Sequence, residues 1–143
     1  MKSVAQILKT KPEQAVYSVT PSTSVYDAVK LLADKNIGAL LVMEGENIAG
    51  IFTERDYARK VTLMGLSSKE TPVGDIMTSA VKYVRPDQTN EDCMILMTDS
   101  HIRHLPVMDK GKLIGVISIG DLVKDTISEQ KFIIEQLEQY INS

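Results

Sequence analysis

The sequence predicts a mixed α/β (α+β) fold made of two copies of one strand-helix-strand-strand-helix unit, packed as a pseudo-twofold pair. Three observations predict it. The chain aligns with itself at an offset of 65 residues. The hydrophobic period switches between strand and helix in the same order in both copies. Both copies also place a hydroxyl and an acid three residues apart at the same strand-to-helix junction.

The self-match runs without a gap from Val16–Lys60 onto Val81–Asp125, and twelve of the 45 pairs are identical, among them Pro21/Pro86, Asp27/Asp92, Gly50/Gly115 and Asp56/Asp121. Upstream, Val4 to Leu8 echoes Val73 to Met77, with a spacer four residues longer in the first copy, so each copy begins with a short helical lead-in. The expected division is 1–68 for the first repeat and 69–143 for the second.

Each element follows from its residues. Val16 and Val19 lead to Pro21, which suits a short strand ending there. Ser24-Val25-Tyr26-Asp27 reads as a helix start, and Val25, Ala28, Val29, Leu31 and Leu32 recur at helical spacing. Ala39 to Met43 is an apolar run too short for a free-standing helix; Glu44 to Asn47 supplies a turn, and Ile48 to Thr53 returns as a second strand. Thr53-Glu54-Arg55-Asp56 opens another helix to about Met64, before Gly65 and the Ser67-Ser68 linker. In the second copy the helices are 89–100 and Ile119 onward, and the strands are 104–108 and 112–118. One repeat is too small to bury its sheet well, so the two are expected to pack across an internal twofold with clefts along the axis.

Composition removes several function classes. A net charge of −3 gives no general attraction to polyanions, so nucleic acid is not an expected partner. Cys93 has no second cysteine to pair with, which fits a reducing compartment and an expected cytoplasmic location. No apolar stretch reaches the roughly 18–20 residues needed to cross a bilayer, and 1–11 lacks a signal-peptide core. The two histidines and one cysteine do not make a metal set at recognised spacing. No nucleophile motif is present, so neither an enzyme nor a catalytic cofactor is expected. The seven methionines fall mainly at packing positions.

The chemistry-bearing motif is Gly50-Ile51-Phe52-Thr53-Glu54-Arg55-Asp56 with its counterpart Gly115-Val116-Ile117-Ser118-Ile119-Gly120-Asp121. At a strand-to-helix junction the hydroxyl caps the helix and the acid sits among outward-pointing N–H groups of its first turn. Such a carboxylate can accept both hydroxyls of a ribose. The same spacing serves as a plain capping box in helices that bind nothing.

Seen twice, with glycine, two apolar residues, Ser or Thr, two variable residues and Asp, the motif resembles the ribose-binding signature of the CBS-domain family, whose paired repeats form the Bateman module. The resemblance covers nearly the whole chain. It implies ribose contacts at Thr53, Asp56, Ser118 and Asp121, and an adenine nucleotide (AMP, ADP, ATP or NAD, with AMP or NAD favoured) as ligand of a regulatory module without catalysis. Where copy one reads Ile37-Gly38-Ala39, copy two reads Ile102-Arg103-His104, which resembles the family's phosphate-contacting position; a guanidinium can grip phosphate oxygens in pairs. Small Gly38 and Ala39 leave room for a purine. One dominant cleft is therefore expected from Ser118, Asp121, Arg103 and His104 with a base edge of Val16, Ser18, Thr20, Ile37, Gly38 and Ala39, and a weaker one at Thr53 and Asp56. The structural alternatives are a salt bridge from Arg103 to Asp99 and a strand-end role for His104.

From Asp121 the tail reads as one long helix with Ile127, Ile134 and Ile141 at seven-residue spacing, joined by Ile133 and Leu137. Apolar residues beyond the domain call for a second chain, so a homodimer is expected, which the family resemblance also implies. The alternative function is an adaptor of the same fold with an empty cleft, acting on a client protein through protein contacts alone.

Overall fold

The computed structural model describes residues 2–12 and 15–142. In chain order the elements are α1 (Val4–Thr10), β1 (Ser18–Val19), α2 (Val25–Lys35), β2 (Ala39–Glu44), β3 (Asn47–Thr53), α3, a 3-10 turn (Val73–Asp75), α4 (Asn90–Ser100), β4 (His104–Asp109), β5 (Lys112–Ser118) and α5 (Ile119–Asn142). Helix α3 opens as one α-turn (Glu54–Asp56) and continues as wider π-turns (Tyr57–Thr62). The mixed α/β class and the repeated element order are those the sequence predicts.

Capping chemistry sets most boundaries. Ser24 and Thr89 accept the Asp27 and Asp92 backbone N–H at 3.1 and 3.2 Å, closing the first turns of α2 and α4. Both helices end on a left-handed residue, Asn36 (φ 53°) and His101 (φ 56°), after which Ile37 and Ile102 donate back to Leu32 and Met97. This is the Schellman arrangement, and His101 is spent on it. Gly65 (φ 67°) ends α3 in the same way, with Leu66 N–H on Val61 O at 3.0 Å. The extent of α3 is thus as expected, but its turns are wider. They keep Val61 buried while Lys60 Nζ reaches Ile76 O at 3.0 Å.

The first strand of the second repeat is reduced to a single bridge, Val84 beside Val107, where copy one has the two-residue β1 paired parallel to β2. The cause is Pro106. Its counterpart Leu41 donates to Tyr17 O, and a proline has no N–H to do the same.

Two compact units result, Val16–Val81 and a discontinuous one of Met1–Ala15 with Lys82–Ser143, although Met1 and Ser143 lie outside the described residues. This differs from a division at 68/69. Each lead-in docks on the other repeat: Val4 N–H bonds Gln88 O at 2.7 Å, and Val73 N–H bonds Thr23 O at 2.7 Å. The second lead-in is a 3-10 turn because Gly74 passes so close to Pro21 that a Cβ would sit 3.0 Å from it, and glycine is a poor helix former. The paired glycines of the junction motif serve the same docking. A Cβ on Gly50 would meet Met77 Sδ at 2.6 Å, and one on Gly115 would meet Leu8 Cδ2 at 2.9 Å, so each motif glycine admits the lead-in of its unit.

Each unit has its own core. Phe52, Leu40, Val42, Val25 and Val61 centre the continuous unit, and Leu105, Val107, Ile117, Leu122, Val4 and Ile7 the discontinuous one. In both, an antiparallel hairpin with a register shift after Val42 or Val107 lays one face on this core and delivers its last residue, Thr53 or Ser118, to the start of a helix.

Candidate functional site

The discontinuous unit brings four expected residues together. Strand register sets His104 directly opposite Ser118, and Arg103 O accepts the Ile119 N–H at 2.9 Å, so the Arg-His pair flanks the first turn of α5. Asp121 Oδ2 accepts the Ser118 N–H at 2.8 Å, and Ser118 Oγ accepts the Asp121 N–H at 3.2 Å. This reciprocal cap is the structural role the sequence allowed. It leaves the Ser118 hydroxyl proton to donate elsewhere, and the described bonds of Asp121 all fall on Oδ2.

Lys11, at the end of α1, completes this corner. Its Nζ lies 3.0 Å from Asp121 Oδ2 and donates to Val116 O at 2.7 Å. Both side chains are largely buried, at 21% and 14% exposure, which strengthens the pair relative to one in open solvent.

The matching corner of the continuous unit is more fully bonded. Asp56 is 8% exposed; its Oδ2 takes the Thr53 N–H (3.0 Å) and hydroxyl (3.2 Å), and its Oδ1 takes the Thr78 hydroxyl at 3.1 Å with Lys60 Nζ 3.4 Å away. Both oxygens are occupied from within the unit. At the expected base edge, Ser18 and Thr20 are exposed, Val16 half-buried, and Gly38 O accepts the Glu54 N–H, while Ala39 stands opposite Thr53. Ile37, which follows the left-handed turn that ends α2, is half-buried and packs against the core cluster on one side.

Arg103 is exposed, and among the described residues it makes no ion pair with Asp99. His104 is half-buried and its pKa is lowered from 6.5: burial disfavours the imidazolium, Lys11 and Arg103 add to that, and Asp121 opposes them. At neutral pH it is therefore an uncharged ring, able to donate or accept one hydrogen bond but not to act as a cation. Because its folded pKa lies below the unfolded one, the unfolded chain takes up a proton first as pH falls through 6.5. Folding stability should accordingly decline from about pH 7 towards pH 5, and His104→Asn should flatten that slope in urea-midpoint measurements. An unchanged slope in the variant would assign the effect to other groups.

Sequence reasoning missed a polar network in the same unit. Asn90, 2% exposed, donates its amide to Asp125 Oδ2 at 2.7 Å and Leu122 O at 3.0 Å, and Lys2 Nζ lies 3.4 Å from Asp125 Oδ1. A faint signal was present: Asn90 stands where the first repeat has Val25, a polar residue at an apolar helix position, and Asp125 stands where it has Lys60. A cavity of about 340 Å³ opens beside this network, with Lys11, Asp121 and Asp125 in its wall. Among the described residues no cluster of His, Cys, Asp and Glu could hold a metal ion, and no helix is long and apolar enough to cross a membrane.

Comparison with known proteins gives this geometry its context. The family model for the CBS domain matches residues 4–62 and 73–127. The chain is 42% identical to the CBS domain-containing protein CBSX3, mitochondrial, of Arabidopsis thaliana, over 97% of this chain and 71% of that protein. Among solved structures it resembles a protein with CBS domains from Burkholderia ambifaria, with 60% identity, a TM-score of 0.87, and coverage of 90% of this chain and 96% of that one. It also resembles CBSX2 in complex with AMP, at 33% identity, a TM-score of 0.74, and coverage of 91% and 99%.

Proposed function

Because the chain belongs to the CBS-domain family, we propose that it is a regulatory module that binds an adenine nucleotide and catalyses nothing itself. The observation that carries this reading is the Asp121 carboxylate, fixed by the Ser118 N–H in the first turn of a 24-residue helix with the Ser118 hydroxyl beside it. A vicinal diol meets there an ionised acceptor and a hydroxyl, at the end of the helix where partial positive charge gathers. The AMP complex of CBSX2 supports the class of ligand.

In this reading Ser118 and Asp121 hold the ribose, and His104 and Arg103 lie towards the phosphate, His104 as a neutral partner and Arg103 as the charge. Val16, Ser18, Thr20, Ile37, Gly38 and Ala39 keep their proposed role at the base. Thr53 and Asp56 form the weaker ribose site, since the carboxylate is already bonded at both oxygens. AMP or NAD is the favoured ligand. The module acts as a homodimer on a client protein, and the exposed apolar residues of the last turns of α5 support the second copy. The free Cys93, buried and with its thiol pushed up to about 11 by burial first and by Asp92 second, suits a reducing compartment such as the cytoplasm.

A thermal-shift panel of AMP, ADP, ATP, NAD, S-adenosylmethionine and GMP tests the proposal. A ligand at 100 times its Kd adds about 2.7 kcal/mol to the stability of a protein that binds it only when folded. One adenine nucleotide should raise the melting temperature and GMP should not. No shift with any of them would favour the adaptor reading, in which protein contacts alone carry the function.

A further inference from the structure

The exposed apolar side chains of α5 follow a heptad rather than a scatter. In heptads counted from Gly120, the first position holds Gly120, Ile127, Ile134 and Ile141, and the fourth holds Val123, Gln130 and Leu137. That spacing draws one stripe along one side of a helix. Every residue of the stripe is exposed. Leu122 and Asp125, which are buried against the helix's own unit, fall at other heptad positions, so docking on the core leaves the stripe open. Ile133 and Tyr140, one residue before Ile134 and Ile141, are exposed as well and widen it. Seven such apolar side chains on each of two helices supply on the order of 1,000 Å² for burial, about where specific pairs begin.

We propose that α5 pairs with α5 of a second copy as a two-stranded coiled coil, parallel and in register, over residues 120–141. The inference rests on the homodimer reading above and adds which stripe is covered and which way round the helices run. Isoleucine at the first heptad position with leucine or valine at the fourth suits two parallel strands. Gln130 decides the direction. In a parallel register each stripe residue meets its own counterpart, so the two Gln130 amides, each donor and acceptor, bond one another. In an antiparallel pair centred between Ile134 and Leu137, Gln130 faces Ile141 and its amide is covered without a partner. That arrangement gains a Lys131–Glu138 contact, but an ion pair at the rim is worth less than a covered, unbonded amide costs. Asp121 stands one residue past the first stripe position, so parallel pairing brings the Asp121 corners of both copies to the same end of the seam.

Disulfide trapping on the full chain, with light scattering across a dilution series, decides the matter. Ile127→Cys and Ile141→Cys are oxidised separately beside Ser128→Cys, an exposed position off the stripe. The native Cys93 is buried and does not compete. Both stripe variants should become covalent dimers on a non-reducing gel, because each new thiol faces its own counterpart, and Ser128→Cys should stay a single chain. Gln130→Leu, which replaces a polar layer by an apolar one, should lower the dissociation constant about tenfold or more. If wild type is a dimer by light scattering but neither stripe variant is trapped, or Ser128→Cys is trapped equally, the seam is overturned while the homodimer stands. A mixture of Gln130→Cys and Ile141→Cys chains that yields mainly the mixed dimer would overturn the parallel direction. An unchanged dissociation constant in Gln130→Leu would remove that residue from the contact, and with it the argument for direction. Wild type that stays monomeric throughout the series would overturn the homodimer reading and the seam together.

Discussion

Asp121→Ala is expected to lower nucleotide affinity by about 100-fold or more, while Asp56→Ala is expected to act chiefly on folding. The two acids hold matching places in the repeats but different bonds. The Asp121 side chain is enclosed almost as much as that of Asp56, 14% against 11% exposed, but its described partners, the Ser118 N–H and Lys11, leave one oxygen to a ligand. Two hydrogen bonds from a ribose to an ionised acceptor are worth about 1.5–3 kcal/mol each, which sets the expected loss. Asp56 is buried, and its removal strands the Thr53 N–H and the Thr78 hydroxyl and leaves Lys60 without its carboxylate. Stranded buried donors cost about 1–3 kcal/mol apiece, and because Thr53 and Thr78 are only half-buried a loss of about 2–4 kcal/mol in stability is expected. Titration calorimetry and urea midpoints, run on both variants, separate the two effects. Equal losses of affinity in the two variants would refute a single dominant site.

If the chain pairs through α5 as proposed, the double variant Ile134→Glu with Ile141→Glu should convert that homodimer to a monomer, raising the dissociation constant by at least about 100-fold as read by light scattering across a dilution series. From residue 130 to 142 every described residue of α5 is exposed, among them Phe132 at 61%, Ile134 at 54%, Leu137 at 55% and Ile141 at 76%. Thirteen residues of helix are marginal in water without a partner. Burial of an isoleucine is worth about 1.5–3 kcal/mol, and a glutamate in its place adds a desolvation cost. Each substitution acts twice in a symmetric pair. A variant that keeps the dimer mass would show that the contact between copies lies elsewhere on the chain.

The sequence carried the fold because its signals were local and doubled. Ser24 and Thr89 announced helix starts, and Pro21 and Gly65 marked ends that hold in the structure. What was not legible is what depends on distance. Nothing in Val4 to Leu8 says which repeat it will cover, since both sheets offer an apolar face and both motif glycines make room. The same holds for Lys11, which lies outside the aligned 45-residue repeat and meets Asp121 only because α1 packs on β5. The four residues of the expected dominant corner, by contrast, belong to one hairpin and the helix after it. Arg103, His104, Ser118 and Asp121 come together through a register that local sequence sets. His104 stands at the start of β4 as its place in the repeat predicts, but its charge depends on burial and on the neighbouring Asp121 and Lys11, which no spacing reveals.

The discontinuity of one unit bears on how the chain is made. Helix α1 is synthesised well before the strand and helix it covers, which begin at Lys112 and Ile119, about a hundred residues later. At about 5–20 residues per second Val4, Ile7 and Leu8 wait at least several seconds with their apolar faces uncovered. The intervening 66 residues, Val16 to Val81, form a compact unit from one continuous stretch, so they can fold during that wait. Closing a flexible loop of that length costs about 4 kcal/mol on the logarithmic scale. Once those residues are ordered, most of that entropy has been surrendered to their own core before β5 and α5 arrive to dock on the first helix. The order of synthesis and the order of docking are thus opposite for α1, and the continuous unit is what reconciles them.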